Sequence, residues 1–212
     1  MQNYKLQINC QISLVDLGTL FLRDNSYFSK NNHKYISGDN SIKKELQAKL
    51  KIEKKIICGL SWTSKNNEIG NNKSITLGTL KPLLLMEDIT FIDLQYNDTS
   101  IEKERFYSDN SIRINEVETI DNFNDLNGIA SLIEICDFVI TVSNTNAHIS
   151  GALGKKTFLL LPKGKGRLWY WTSSGNKSLW YPSIEVVEQN VAGSWDSAIK
   201  KINKLVKENL IG

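Results

Sequence analysis

The sequence has no run approaching the ~18–20 consecutive apolar residues that cross a bilayer, and Met1-Gln2-Asn3-Tyr4-Lys5 lacks the apolar core of a signal peptide. Both absences point to a cytoplasmic chain with no membrane span. Proline is scarce, at three residues, and the 41% hydrophobic and 23% charged fractions are those of a globular chain, which excludes a fibrous or disordered one. Cysteine is scarce too. Cys10, Cys58 and Cys136 are far apart and two lie inside apolar runs, so they read as small buried hydrophobes and not as a metal cluster or a disulfide framework. Neither sign of charge dominates: 26 basic residues face 23 acidic ones, the net charge is +3, and the lysines are scattered through polar turns. That footprint is too weak for nucleic acid. No Gly-x-Gly-x-x-Gly follows the first apolar run, and no Gly-Lys-Ser/Thr loop is present, which speaks against a Rossmann oxidoreductase and a Walker-type nucleotide site.

What is there fits one α/β domain of about 150 residues with an extension. Residues 1–54, rich in Asn, Lys and Ser with one helical stretch at 41–51, read as an N-terminal extension or linker. Residues 55–212 alternate short apolar runs with amphipathic stretches, the pattern of βαβ units around a mostly parallel, doubly wound Rossmann-like sheet. Strands are expected at 56–62, 90–95, 111–114, 137–142, 157–161 and 184–188, in the order 3-2-1-4-5-6. Helices are expected from Ser74 through Leu85, from a cap at Asn124 or Asp125 through Cys136, from Asn144 to about Leu153, and from Trp195 to about Glu208. Gly154 closes the third of these in a left-handed conformation.

In such a sheet, ligands bind at the carboxyl ends of the strands near the switch point, here beyond Trp62 and Val142. The segment Ser143-Asn144-Thr145-Asn146-Ala147-His148 follows Val142. Free amides and the positive end of the helix dipole make an anion site there, with neutral side-chain donors and no competing negative charge. His148, four residues after Asn144, faces the same side one turn deeper. A plain cap at Ser143 or Asn144 and a satisfied core histidine are the alternative. Lys73, directly before a helix, can reach a phosphate or remain a solvated loop lysine. Ser61, Trp62 and Gln95 end the first two strands at the same edge. The loop Lys163-Gly164-Lys165-Gly166-Arg167-Leu168-Trp169-Tyr170-Trp171 offers cations to phosphate and aromatic faces to a base or sugar, or anchors itself by its tryptophans.

Several strings together resemble a known family: Cys58-Gly59-Leu60-Ser61-Trp62, Lys73-Ser74-Ile75-Thr76-Leu77, residues 137–157, and Trp180-Tyr181-Pro182-Ser183. Residues 55–207 are similar to the C-terminal half of bacterial glycosyltransferases fused to tetratricopeptide repeats, themselves similar to lipopolysaccharide heptosyltransferases and, more distantly, to O-linked N-acetylglucosamine transferase. The resemblance implies the C-terminal half of a GT-B fold and metal-independent transfer of a sugar from a nucleoside-diphosphate sugar to a hydroxyl of a saccharide or protein acceptor, with no cofactor. It implies that Ser143, Asn144, Thr145, Asn146 and His148 hold the donor diphosphate with help from Lys73. His148 and Lys73 are then the expected catalytic residues, and Ser61, Trp62, Gln95, Lys163 and Arg167 further donor contacts. Many relatives carry Asp-Thr where this chain has Ser143-Asn144, so that carboxylate's role does not transfer. Asn9-Cys10-Gln11-Ile12-Ser13-Leu14 resembles only the tail of the family's N-terminal domain, which places the acceptor-side base in a separate domain or partner chain. The other expectation is a non-catalytic nucleotide-binding or docking module.

Overall fold

The computed structural model describes residues 10–13, 16, 17, 20, 24, 28, 34–50 and 56–208. The chain falls into two compact units, Met1–Asn32 and His33–Gly212. In the first, the described residues include a helical turn at Asp16 and Leu17, with the Leu17 amide 3.1 Å from the Ser13 carbonyl. Residues 1–9 and 14, which carry most of the N-terminal strings quoted above, lie outside the described residues.

The second unit is an α/β sandwich. Helix α1 (Asn40–Lys49) precedes strand β1 (Ile56–Ser61), followed by the short α2 (Gly70–Lys73), α3 (Leu77–Leu84), β2 (Ile89–Asp93) and α4 (Ser100–Asn110). Then come α5 (Leu126–Ile135), β3 (Phe138–Val142), α6 (Thr145–Ala152), β4 (Thr157–Leu161), the hairpin β5 (Ser173–Ser174) and β6 (Lys177–Ser178), β7 (Ile184–Glu188) and α7 (Asp196–Val206). The sheet order is β2-β1-β3-β4-β7-β6-β5; the five long strands are parallel, and the hairpin is antiparallel at one edge. Chain order reverses direction between β1 and β3, as expected for a doubly wound sheet. Among the described residues, no helix is long and apolar enough to cross a membrane.

The central strands are buried on both faces, so they read as continuous apolar runs. Cys58, Leu60, Phe138, Ile140, Val142, Phe158 and Leu160 meet α3 and α7 on one face, where Ala198, Ile199, Ile202 and Val206 form a helical stripe. Ile92, Leu94 and Val139 meet Leu46 of α1 and Ile129, Leu132 and Ile133 of α5 on the other. Gly59 belongs to this second face, where a Cβ would come within 2.6 Å of the Leu94 side chain.

Four elements differ from the sequence expectation. Lys73 ends the short helix α2 instead of standing in a loop, and the helix expected from Ser74 begins at Leu77, capped by Thr76. Residues 111–114 are not a strand; the chain meets the β2 edge at Asn115, in a single parallel bridge to Ile92. The reason is local: Ser111 takes a left-handed conformation (φ 57°) to end α4, and Asn115 spends its amide and side chain on the Phe91 carbonyl before the chain departs. Helix α4 escapes a periodicity search because only Phe106 of its eleven residues is buried. The two-residue strands of the edge hairpin are too short to leave a pattern.

Helix α1 lies in the second unit, held there by a charged clamp. Glu134 on α5 accepts from the Lys34 ammonium, from Lys43 at 3.1 Å and from the Gly38 amide at 2.8 Å, while Ser131 Oγ accepts the Asp39 amide at 2.8 Å. Burial pushes the Glu134 carboxyl up, but these donors outweigh it and hold it at about 2. A folded pKa below the ordinary 4.5 means that the clamp's contribution is complete above pH 4.5 and lost as the pH falls toward 2. Glu134→Gln is expected to lower stability by about 1–2 kcal/mol at pH 7 and to flatten the acid limb between pH 4.5 and 2, measured by urea unfolding across pH. An unchanged acid limb would show that the clamp carries no stability.

Candidate functional site

The carboxyl ends of β1, β2 and β3 are tied by side-chain amides. Gln95, just past β2, accepts through Oε1 from Ser61 Oγ (3.0 Å) and from the amides of Trp62 (2.8 Å) and Thr63 (3.0 Å). Its Nε2 donates to Thr63 Oγ1 at 2.7 Å and to Asn97 Oδ1. Asn144 caps α6 by accepting the Asn146 amide at 3.0 Å, and its Nδ2 crosses to Ser61 Oγ at 2.8 Å and the Thr63 carbonyl at 3.2 Å. Asn146 donates to the Leu94 carbonyl at 2.6 Å. Each strand end leaves backbone groups that must be paired when buried, and these amides supply the partners.

The side chains of Ser61, Gln95, Asn144 and Asn146 therefore face protein groups in this structure, where the sequence reading had them facing a ligand. Trp62 is likewise in the core, its Nε1 on Glu102 at 2.9 Å. Ser143 Oγ accepts from Trp171 Nε1 at 2.8 Å. Thr145, the first residue of α6, is the exposed member of the segment.

Lys73 and His148, far apart in sequence, come within electrostatic reach of each other. Lys73 ends α2 and is only 4% exposed, covered by the loop after β4: Gly166 (φ 91°) lies so close that a Cβ there would be 3.2 Å from Lys73 Cγ. Among the described residues, no carboxylate pairs with its ammonium, and burial lowers its pKa. The His148 ring stacks on Trp171 (centroids 4.6 Å apart, planes at 24°), with Tyr170 at 5.4 Å and the edge of Tyr181 at 5.9 Å. Its Nδ1 is 3.3 Å from the Tyr181 hydroxyl. Burial first, and then the Lys73 charge, lower its pKa.

Gly151 does more than bring α6 close to the sheet. A Cβ there would sit 2.3 Å from the Tyr181 ring, so the glycine makes room for the aromatic that touches His148. Tyr181 was the member of this cluster that sequence reasoning gave no role; its signal was the spacing of Gly151 three residues after His148, which puts both on one helix face. The loop cations Lys163 and Arg167 both have protein partners. Lys163 donates to the Asn190 carbonyl at 2.8 Å, and Arg167 pairs with Glu188 at 3.2 Å. Among the described residues, no group of three or more His, Cys, Asp or Glu side chains is placed to hold a metal ion.

Lys73 supplies the positive charge of this cluster, beside a His148 that burial keeps neutral, and among the described residues no carboxylate is paired with it.

No protein-family model matches the chain. Protein FlbA of Caulobacter vibrioides is 27% identical over 152 residues, which are 71% of this chain and 25% of FlbA; the chain spans about a quarter of that protein's length. In structure, the chain is similar to E. coli heptosyltransferase WaaC with ADP, at a TM-score of 0.47 and 13% identity, over 82% of this chain and 50% of that one.

Because His148 titrates below its ordinary 6.5, its protonation favours the unfolded chain; the associated stability is present above pH 6.5 and lost as the pH falls below it. Lys73→Met is expected to raise the His148 midpoint in an NMR titration while leaving it under 6.5, since burial, the larger cause, persists. An unmoved midpoint would show that the two groups are not coupled.

Proposed function

We propose that the second unit is the donor-binding half of a glycosyltransferase, which holds the diphosphate of a nucleotide sugar at Lys73, His148 and the start of α6 and transfers the sugar to an acceptor hydroxyl without a metal ion. The observation that carries this reading is the Lys73 side chain, 4% exposed and without a carboxylate partner among the described residues, within electrostatic reach of His148. The family resemblance of residues 55–207 assigns the same two positions to the donor diphosphate.

In this reading, the reacting bond joins the sugar's anomeric carbon to the distal phosphate, and negative charge grows on the leaving diphosphate as that bond breaks. Lys73 and the α6 dipole oppose that charge from fixed positions, a preorganised contribution of several kcal/mol, of order 3. His148, kept neutral by burial and by Lys73, donates an N–H to a phosphate oxygen without carrying its own positive charge into the empty site. Stacking on Trp171, which is anchored to Ser143, fixes the ring's plane. The acceptor-side base comes from a separate domain or partner chain.

A non-catalytic nucleotide-binding module is the second reading. Ser143-Asn144 favours it, because many relatives in the resembling family carry Asp-Thr there and the carboxylate beside the donor is missing.

Titration calorimetry of the full chain with ADP, UDP and GDP tests the site. At least one is expected to bind, with affinity reduced about tenfold or more by Lys73→Met and by His148→Ala, since a charge-assisted hydrogen bond contributes about 1.5–3 kcal/mol. Release of nucleoside diphosphate from the matching nucleotide sugar, lost in Lys73→Met, would establish the enzyme over the binding module. If none of the three binds, or if the substitutions leave affinity unchanged, the diphosphate reading is wrong.

A further inference from the structure

On the other flank of the Gln95 knot, a cavity of about 400 Å³ opens at the outer edge of β2, between the turn Asn97-Asp98-Thr99 and residues 116–123. Its polar inventory is unlike that of Lys73 and His148. Five described residues have a buried side-chain polar atom without a hydrogen-bond partner, and two of them, Thr99 Oγ1 and Asn122 Oδ1, belong to the lining of this cavity. Buried polar atoms are rarely left unpaired, so two in one lining call for a partner that the protein does not supply.

The missing partner's chemistry can be specified. Asn122 spends its Nδ2 on the carbonyls of Asp93 (3.1 Å) and Gln95 (3.2 Å), which orients the amide and leaves Oδ1 as an acceptor in need of a donor. Thr99 is the N-cap residue of α4 but makes no side-chain cap bond, so its hydroxyl has no duty in the helix. Phosphate oxygens only accept and cannot satisfy Asn122 Oδ1. A hydroxyl group donates and accepts, and so serves both atoms.

Charge makes the same selection. Asp98, Glu116, Glu118 and Asp121 line the cavity, and Lys103 is taken up by Asp93 at 2.5 Å and by Glu116. Hydrogen bonds from the Ser100 side chain and amide hold Asp98 below the usual carboxylate range; the Asn124 side chain and the amides of Phe123 and Asn124 do the same for Asp121. Such a lining repels anions. Phe123, 62% exposed although it is a large apolar ring, adds an aromatic face to the lining.

We propose that this cavity is a binding site for a neutral saccharide, whose ring hydroxyls donate to Asn122 Oδ1 and the carboxylates and accept from Thr99 Oγ1 while its C–H face packs on Phe123. The site stands independently of the diphosphate reading.

Amide chemical shifts of the ¹⁵N-labelled full chain, titrated separately with methyl α-glucoside, methyl α-mannoside, N-acetylglucosamine, uridine, adenosine and UDP, test it. At least one saccharide is expected to shift amides at 97–101 and 121–125, with affinity weakened about five- to tenfold by Thr99→Val and by Phe123→Ala. Thr99→Val is expected to keep the wild-type melting temperature, because the hydroxyl it removes has no partner in the fold. The proposal is overturned if no saccharide shifts these amides, if nucleosides shift them and saccharides do not, or if both variants bind as wild type does. UDP shifts around His148 without saccharide shifts here would remove this site and leave the diphosphate reading in place; the converse pattern would do the opposite.

Discussion

The edge of this sheet depends on the hydrogen-bonded knot of Gln95, Ser61, Thr63 and Asn144. Three parallel strands end side by side there, each with backbone groups that its neighbours no longer pair. A water-filled edge would satisfy them, but Trp62, Leu94 and Val142 are in the core, so the partners must come from side chains. Primary amides suit the task because each offers both donors and an acceptor. Asn144 does two jobs in one geometry: its oxygen caps α6 and its nitrogen grips β1. The start of α6 is thereby fixed relative to β1, and with it the direction in which His148 projects.

The fold was legible in the sequence wherever burial was extreme. Strands β1, β3 and β4 are apolar on both faces and bounded by turn residues, and α7 carries its stripe at helical spacing, so pattern alone places them. Elements held by something other than apolar burial left no such trace: α4 buries one side chain, the edge hairpin has two residues per strand, and the bridge at Asn115 is made by backbone and amide groups. At the site, the neighbourhood was legible but not the side-chain assignments. A polar string after a buried strand reads the same whether its amides face a ligand or the ends of adjacent strands. Only the register β1–β3, which sets Ser61 beside Thr141, decides that Asn144 reaches Ser61. Lys73 shows the same limit, because its burial comes from Gly166, on a loop that is remote in sequence.

That burial is what distinguishes Lys73 from the other lysines. Three half-buried lysines have anions or carbonyls to meet: Lys103 has Asp93 and Glu116, Lys43 has Glu134, and Lys155 has the carbonyls of Glu134 and Cys136. Lys73 has a histidine, which repels it when protonated. The lowered pKa of Lys73 follows from that burial, and perturbed cations of this kind concentrate at functional sites.

The knot also divides the sheet edge by charge. On one side, Lys73 and the α6 N-terminus present positive potential next to a neutral His148; on the β2 side, Asp98, Glu116, Glu118 and Asp121 present negative potential around the unpartnered Thr99 hydroxyl and Asn122 amide oxygen. In the two proposed readings, an anionic ligand and a neutral, hydroxylated one would be sorted by electrostatics before any shape is read. Gln95 belongs to both sides: its Oε1 holds the β1 end next to Asn144, and its backbone carbonyl orients Asn122. A rigid element shared by two sites sets the distance between their ligands, and for a transfer reaction that distance matters as much as either affinity, because reacting atoms misplaced by about 1 Å lose most of the benefit of being bound.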